Sequence, residues 1–318
     1  MKTSLCELLA LVTASLCLSL SVGASVASAQ DEGVAFYNLQ PQWVEGRTTR
    51  YRFETVRSDD VAMSVNDQTR EAQTRMRSAG EMTWTVREVG GDGSAELEVV
   101  YDWLGLSFTP PQGEPQSADS REAGGFERLK DLCDAVAGTP LTVTFAADGS
   151  VSELEGYEAI RDNAEFSDGV PERLDFLESV TDKLCMPGAP PDAEPGDEWE
   201  QLFTWNHRMG EMEYDTTYEL VGVETMAGVP VATVRRESDL TLRVDREDIP
   251  ADAPPINTNM ESASASEDVL FDLSRNEVVG RYGVEEHVIR VDINAQQAQV
   301  NQRITQTVTH KLLRIEER

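Results

Sequence analysis

Basic residues are scarce. Lys and Arg total 27 against 58 Asp and Glu, a formal net charge of −31 over 318 residues. That deficit excludes nucleic acid as a partner, because such binding relies on Lys and Arg to neutralise phosphates. It tells equally against anionic lipid surfaces. The acids are scattered and not clustered, which fits a solvated, self-repelling surface better than cation binding. Histidine is rarer still. His207, His287 and His310 stand far apart, each without a second ligand at metal spacing, so they are expected as strand residues and no metal site is expected. No Gly-x-Ser-x-Gly elbow, phosphate loop or His-Glu-x-x-His occurs. The chain is therefore expected to be no enzyme and to carry no cofactor. Long apolar runs are missing beyond the leader, so no transmembrane segment is expected in the mature chain.

What is present begins with that leader. Lys2 gives a positive start, an apolar stretch runs from Leu8 to Val22, and Ala27-Ser28-Ala29 supplies small residues at a cleavage site. Residues 1–29 are read as a signal peptide, with Gln30 opening the mature protein and a periplasmic or secreted destination. Lipid anchoring fits poorly, because Leu16 precedes Cys17 and Cys6 lies ahead of the apolar core. An uncleaved anchor also fits poorly, because Ser15, Ser19 and Ser21 interrupt the run.

The mature chain keeps Cys133 and Cys185. In an exported protein an even pair points to a disulfide, contributing about 3–4 kcal/mol in the chain-entropy view. Two buried free thiols or a catalytic thiol are the alternatives.

Alternation dominates the rest. Tyr51, Phe53 and Thr55 alternate with Arg50, Arg52 and Glu54. Met82, Trp84 and Val86 alternate with Thr83, Thr85 and Arg87. Ala95, Leu97, Val99, Tyr101 and Trp103 share one expected face. This is the period of strands with one face packed and one wet. Gly90-Gly91-Asp92-Gly93 reads as a turn. The order then recurs. Gly80-Glu81-Met82 opens one alternating run and Gly210-Glu211-Met212 another, which continues through Tyr214, Thr216, Tyr218 and Leu220 to a turn at Ala227-Gly228. Each half reads as a strand, a long hairpin, a polar linker and a second hairpin. The expected fold class is mainly β (α+β): two similar curved antiparallel sheets from an internal duplication, with a helical insertion in the first half. The expected domains are 30–190 and 191–318.

Two Pro-rich polar stretches, Thr109–Ala123 and Asp248–Ser266, are expected as equivalent loops. Phe126, Leu129, Cys133 and Val136 recur at helical spacing and stop at Gly138. Tyr157, Ile160 and Ala164 form a second stripe. Leu174, Leu177, Val180 and Leu184 form a third, beginning near Pro171.

Four segments carry a resemblance. Trp43-Val44-Glu45-Gly46 leads into Tyr51-Arg52-Phe53-Glu54. Gly138-Thr139-Pro140 and Leu141–Phe145 lead into Asp148-Gly149-Ser150-Val151. Pro195-Gly196-Asp197-Glu198-Trp199 opens the second half, and Phe271-Asp272-Leu273 precedes the closing strands. In these the chain resembles a family of exported bacterial proteins carrying a domain of unknown function. The resemblance implies export and fold class, and no activity.

Candidate chemistry is thin. Asp245, Glu247, Asp248 and Asp252 crowd one loop but lack the spacing and central glycine of a calcium loop. Asp197 and Glu198 beside Trp199 can be read as a sugar site, yet Pro195-Gly196-Asp197 is turn chemistry before a core tryptophan. Trp84 and Trp103 are the candidate ligand-binding residues, as walls of a curled sheet that holds an apolar molecule. The leading expectation is a non-enzymatic binding protein for a hydrophobic ligand or an envelope partner. A structural or assembly protein of the envelope is the second, and a hydrolase without a recognisable motif the third.

Overall fold

The structure is a computed structural model. It describes residues 35–65, 68–156, 160, 185–207, 210–243, 256–295 and 298–315. The expected signal peptide, the third helical stripe and the acidic stretch Asp245–Asp252 lie outside these residues. So does the second stripe, apart from Ile160.

The strands are β1 (Thr48–Val65), β2 (Gln68–Val89), β3 (Ala95–Thr109), β4 (Gln116–Asp119), β5 (Pro140–Phe145), β6 (Val151–Glu155), β7 (Glu198–His207), β8 (Gly210–Met226), β9 (Val229–Arg243), β10 (Ile256–Asp272), β11 (Glu277–Ala295) and β12 (Ala298–Ile315). One helix, α1 (Glu127–Val136), stands between β4 and β5. All strands join one 12-stranded sheet in the order β6-β5-β3-β2-β1-β12-β11-β10-β9-β8-β7, with β4 paired to β3.

The expected two sheets are thus one. The joint is the pairing of β12 with β1, from Arg50 opposite Ile315 to Val65 opposite Val300. The reason is edge chemistry. A sheet made only of the first half would leave β1 with a long row of unpaired amides and carbonyls, and the final strand has the length and alternation to cover it.

Alternation produced the strands as read, and local turn chemistry closed them. Asp92, Asp148 and Asp272 each accept hydrogen bonds from the amide and hydroxyl of the serine two residues on, a repeated device that turns the chain back. Ala227 and Gly228 both adopt positive φ, 50° and 86°, the conformation a tight two-residue hairpin requires.

Two expected loops are partly strand. β4 lies inside the Thr109–Ala123 stretch, and β10 takes over from Ile256 through Ser266. The small polar residues of β10 have little strand preference of their own. Pairing with β11 along their length, and with β9 from Ser264 onward, supplies the ladder that the composition did not announce.

One face of the sheet is packed. Over β2, β3 and β5 it carries Met82, Val99, Tyr101, Leu104, Leu141, Val143 and Phe145. The helical stripe read from sequence is α1, whose Leu129, Leu132, Cys133, Ala135 and Val136 are buried. A second apolar cluster, with Leu39, Tyr218, Leu220, Val234, Val269 and Phe271, packs over β8–β10.

The expected disulfide is not formed. Cys133 and Cys185 are free, buried thiols. The Cys133 thiol points at the Ala118 carbonyl, 3.7 Å away, whereas the Cys185 carbonyl accepts a 2.5 Å hydrogen bond from Arg281 Nη2. The two cysteines thus engage different strands. Burial pushes each thiol up to about 12, so both stay protonated and unreactive.

Candidate functional site

Rows of residues running across the strands define what the packed face presents. Register places Tyr218 (β8), Arg236 (β9), Glu267 (β10), Gly283 (β11), His310 (β12), Thr55 (β1) and Ser78 (β2) side by side. Glu267 is the centre of a buried charge belt. Its Oε2 accepts from Arg281 Nη1 at 3.2 Å and Arg236 Nη1 at 3.3 Å, and its Oε1 accepts from His310 Nε2 at 2.7 Å. Burial alone would push this carboxyl up. The charge of Arg281, then the hydrogen bond and charge of His310 and the charge of Arg236, outweigh it and hold the group well below the usual carboxylate range.

Gly283 makes this geometry possible. His310 and Glu267 are two strands apart, and any side chain on β11 between them would stand in the way. A Cβ on Gly283 would lie 2.4 Å from His310 Nε2 and 3.1 Å from Glu267 Cβ. The missing side chain is the gap through which the imidazole reaches the carboxylate.

A row further toward the hairpin tips, Thr216 and Ser238 share a buried 2.7 Å hydrogen bond. Beyond them Tyr214 donates to Glu285 at 3.3 Å, and His287 Nε2 lies 2.6 Å from the same carboxylate. On β1, Asp59 gathers Arg57, Thr74 and Gln306. Toward the tip the same face carries Ile289, Ile304 and Val61 in one row, and Val291, Gln302 and Met63 in the next.

At this tip, Met63, Val65, Gln68 and Arg70 line an open pocket of about 390 Å³. All four point to the packed face, since Met63 pairs with Arg70 and Val65 with Gln68. Arg70 makes no ion pair among the described residues. The other crevice, between Trp84, Tyr51, Val86, Leu97 and the Asn276–Val278 turn, holds about 40 Å³, room for a water and little else. The larger space lies further from the aromatic core and is an open depression at the hairpin tip.

The two candidate tryptophans do not share a wall. Register shifts between Glu81 and Met82, so that Trp103 pairs with Glu81 while Tyr101 pairs with Met82. The extra residue, Asp102, forms a bulge, and the side chains beyond it change faces. Leu104 and Leu106 take the packed side, and Trp103 turns to the other, where the Arg121 guanidinium lies 3.6 Å over its ring. Trp84 stays on the packed side with Phe145, ring centres 6.3 Å apart. Trp199 stacks on Tyr218 at 5.2 Å after the Pro195-Gly196 turn, as a packing residue.

His207, His287 and His310 all sit in strands, as read. Among the described residues no group of His, Cys, Asp or Glu has the arrangement to hold a metal ion. No helix among them is long and apolar enough to cross a membrane. The charge belt was missed in sequence because its members lie on four strands and share no local spacing. One signal was there, however: Glu267 interrupts an inward-facing series that continues with Val269 and Phe271.

No family model matches the chain, and neither does any curated protein. Among solved structures, lipovitellin, in a study titled for its lipid–protein interactions, aligns at 11% identity and TM-score 0.39, covering 85% of this chain and 25% of its own. The chain thus spans a quarter of that structure's length. A DUF1329 family protein from Desulfovibrio piger aligns at 9% identity and TM-score 0.12, covering 81% and 84%. DynF from the dynemicin biosynthesis pathway of Micromonospora chersina aligns at 8% identity and TM-score 0.15, covering 91% and 92%. Likenesses of this size carry no argument about function.

Proposed function

We propose that this is an exported, non-enzymatic binding protein for a hydrophobic ligand, released after cleavage near Ala29. The observation that carries this reading is the open pocket of about 390 Å³ at the β1–β2 tip, on the same face as the row of Val61, Ile304 and Ile289. In this reading the sheet curls around that face, as long twisted strands with one apolar side do. The ligand's apolar part lies on Val61, Met63 and Ile304. Arg70 stands at the rim for a polar or acidic end. Two features support a role without catalysis. The Glu267–His310 pair is buried under its neighbours, and both thiols are held protonated. The same reading takes residues 30–190 and 191–318 as diverged copies, supported by the matching run of strands β1-β2-β3-β5-β6 and β7-β8-β9-β10-β11 in the sheet.

The test is native mass spectrometry of protein from its own host, followed by solvent extraction. A discrete, releasable apolar mass is expected, and Met63→Asp should lower its occupancy at least about tenfold, the effect of roughly 1.4 kcal/mol. A clean apoprotein, or a ligand retained undiminished by the variant, overturns the reading. The assembly reading has one observation in its favour, an exposed leucine on an edge strand.

A further inference from the structure

Leu202 is 61% exposed on β7. Among the described residues β7 pairs with β8 alone and ends the sheet. It runs for 10 residues, and its ladder with β8 shows no register shift. Lys, Pro and bulges are the usual protections of a sheet edge, and β7 has none of them. Each edge strand carries two glutamates, Glu198 and Glu200 on β7 and Glu153 and Glu155 on β6, but β6 has only 5 residues and its ladder is interrupted between Thr144 and Phe145.

We infer that β7 is a dimerisation edge, to which a second copy of this chain adds its own β7 antiparallel, centred on Leu202. The sequence of the strand selects the occupant. A two-fold axis normal to the sheet sets the same patch against itself, with opposed residues on one face. Centred on Leu202, the register places Glu198 opposite Asn206, Glu200 opposite Thr204 and Trp199 opposite Trp205. No carboxylate faces another. Centred on Glu200 or Trp199, it would set glutamates against each other, which is destabilising. Centred on Gln201 or Phe203, it would leave each leucine opposite a polar residue. Only the Leu202 register pairs the exposed leucine with its mate. The two bodies each carry a formal charge of −31, so salt should tighten the pair.

Sedimentation velocity of the protein purified from its own host, over about 1–100 µM, tests this. A monomer–dimer equilibrium is expected, tightening between about 0.02 M and about 0.3 M salt. Leu202→Lys should raise the dissociation constant at least about tenfold with unchanged circular dichroism. Leu202→Cys should oxidise to a covalent dimer, and Glu198→Cys should not. A monomer throughout, a dimer indifferent to Leu202→Lys, or cross-linking through Glu198→Cys instead overturns the inference. So does a monomer that co-purifies stoichiometrically with a different chain. Because none of these outcomes involves Met63, failure here leaves the ligand reading standing.

Discussion

The packed face is built in two ways. Over β2, β3 and β5 it is an apolar core closed by α1, with Leu104, Leu132 and Phe145 among its buried side chains. Over β9–β12 the corresponding positions hold Glu267, Arg281 and His310, also buried, and the partly buried Arg236, held by charge-assisted hydrogen bonds. Both regions take side chains out of water, and what offsets the cost is different. In the first, removal of carbon from water stabilises packing without direction. In the second, each desolvated charge depends on partners at fixed distances, so the region is less forgiving of change and more exact in geometry.

The largest effect should come from breaking the belt at its centre. Glu267→Ala leaves the Arg281 and Arg236 cations buried without their shared carboxylate. A loss of about 3–5 kcal/mol is expected in urea unfolding. A loss under about 1 kcal/mol would mean that water reaches the belt and that the two regions are not different in kind. In the apolar region, Leu104→Ala should cost about 2–5 kcal/mol, toward the lower end if α1 settles into the space. The two variants should add, since they sit in separate parts of the face.

Acid sharpens the contrast with a smaller effect. The Glu267 carboxyl is depressed in the folded state, so the unfolded chain binds more protons as pH falls below the ordinary glutamate value of 4.5. The stability it contributes is complete above that value and is lost as pH falls through the folded-state value. Below about pH 4.5 the native protein should lose stability more steeply than Glu267→Gln, although the variant starts lower at neutral pH. Equal slopes would remove Glu267 as the source of acid sensitivity.

The apolar region was far more legible in the sequence than the belt. Its strands alternate and its helix carries apolar residues at 3.6-residue spacing, both of which are local patterns. The belt depends on register between strands far apart in the chain. Glu267 meets His310 only because β11 supplies Gly283 between them, and no local window holds all three. Trp103 failed for a related reason: the period of 2 was right up to Tyr101, and a single extra residue at Asp102 reversed it. The small, polar composition of Asp248–Ser266 predicts a loop, whereas the strand character of its part from Ile256 comes from its neighbours. The disulfide was inferred from compartment and cysteine count, neither of which carries distance.

The β1–β12 seam bears on how the chain is made. The first long strand finds its second neighbour only when the last has emerged. Until then β1 and β11 are both open edges, and the middle of the sheet is missing. Contacts that span nearly the whole sequence form slowly, because the loop must be closed before they stabilise anything. A chain halted before residue 298 would present two long sticky ladders in place of one finished sheet. β12 is therefore the strand whose arrival covers both open edges at once.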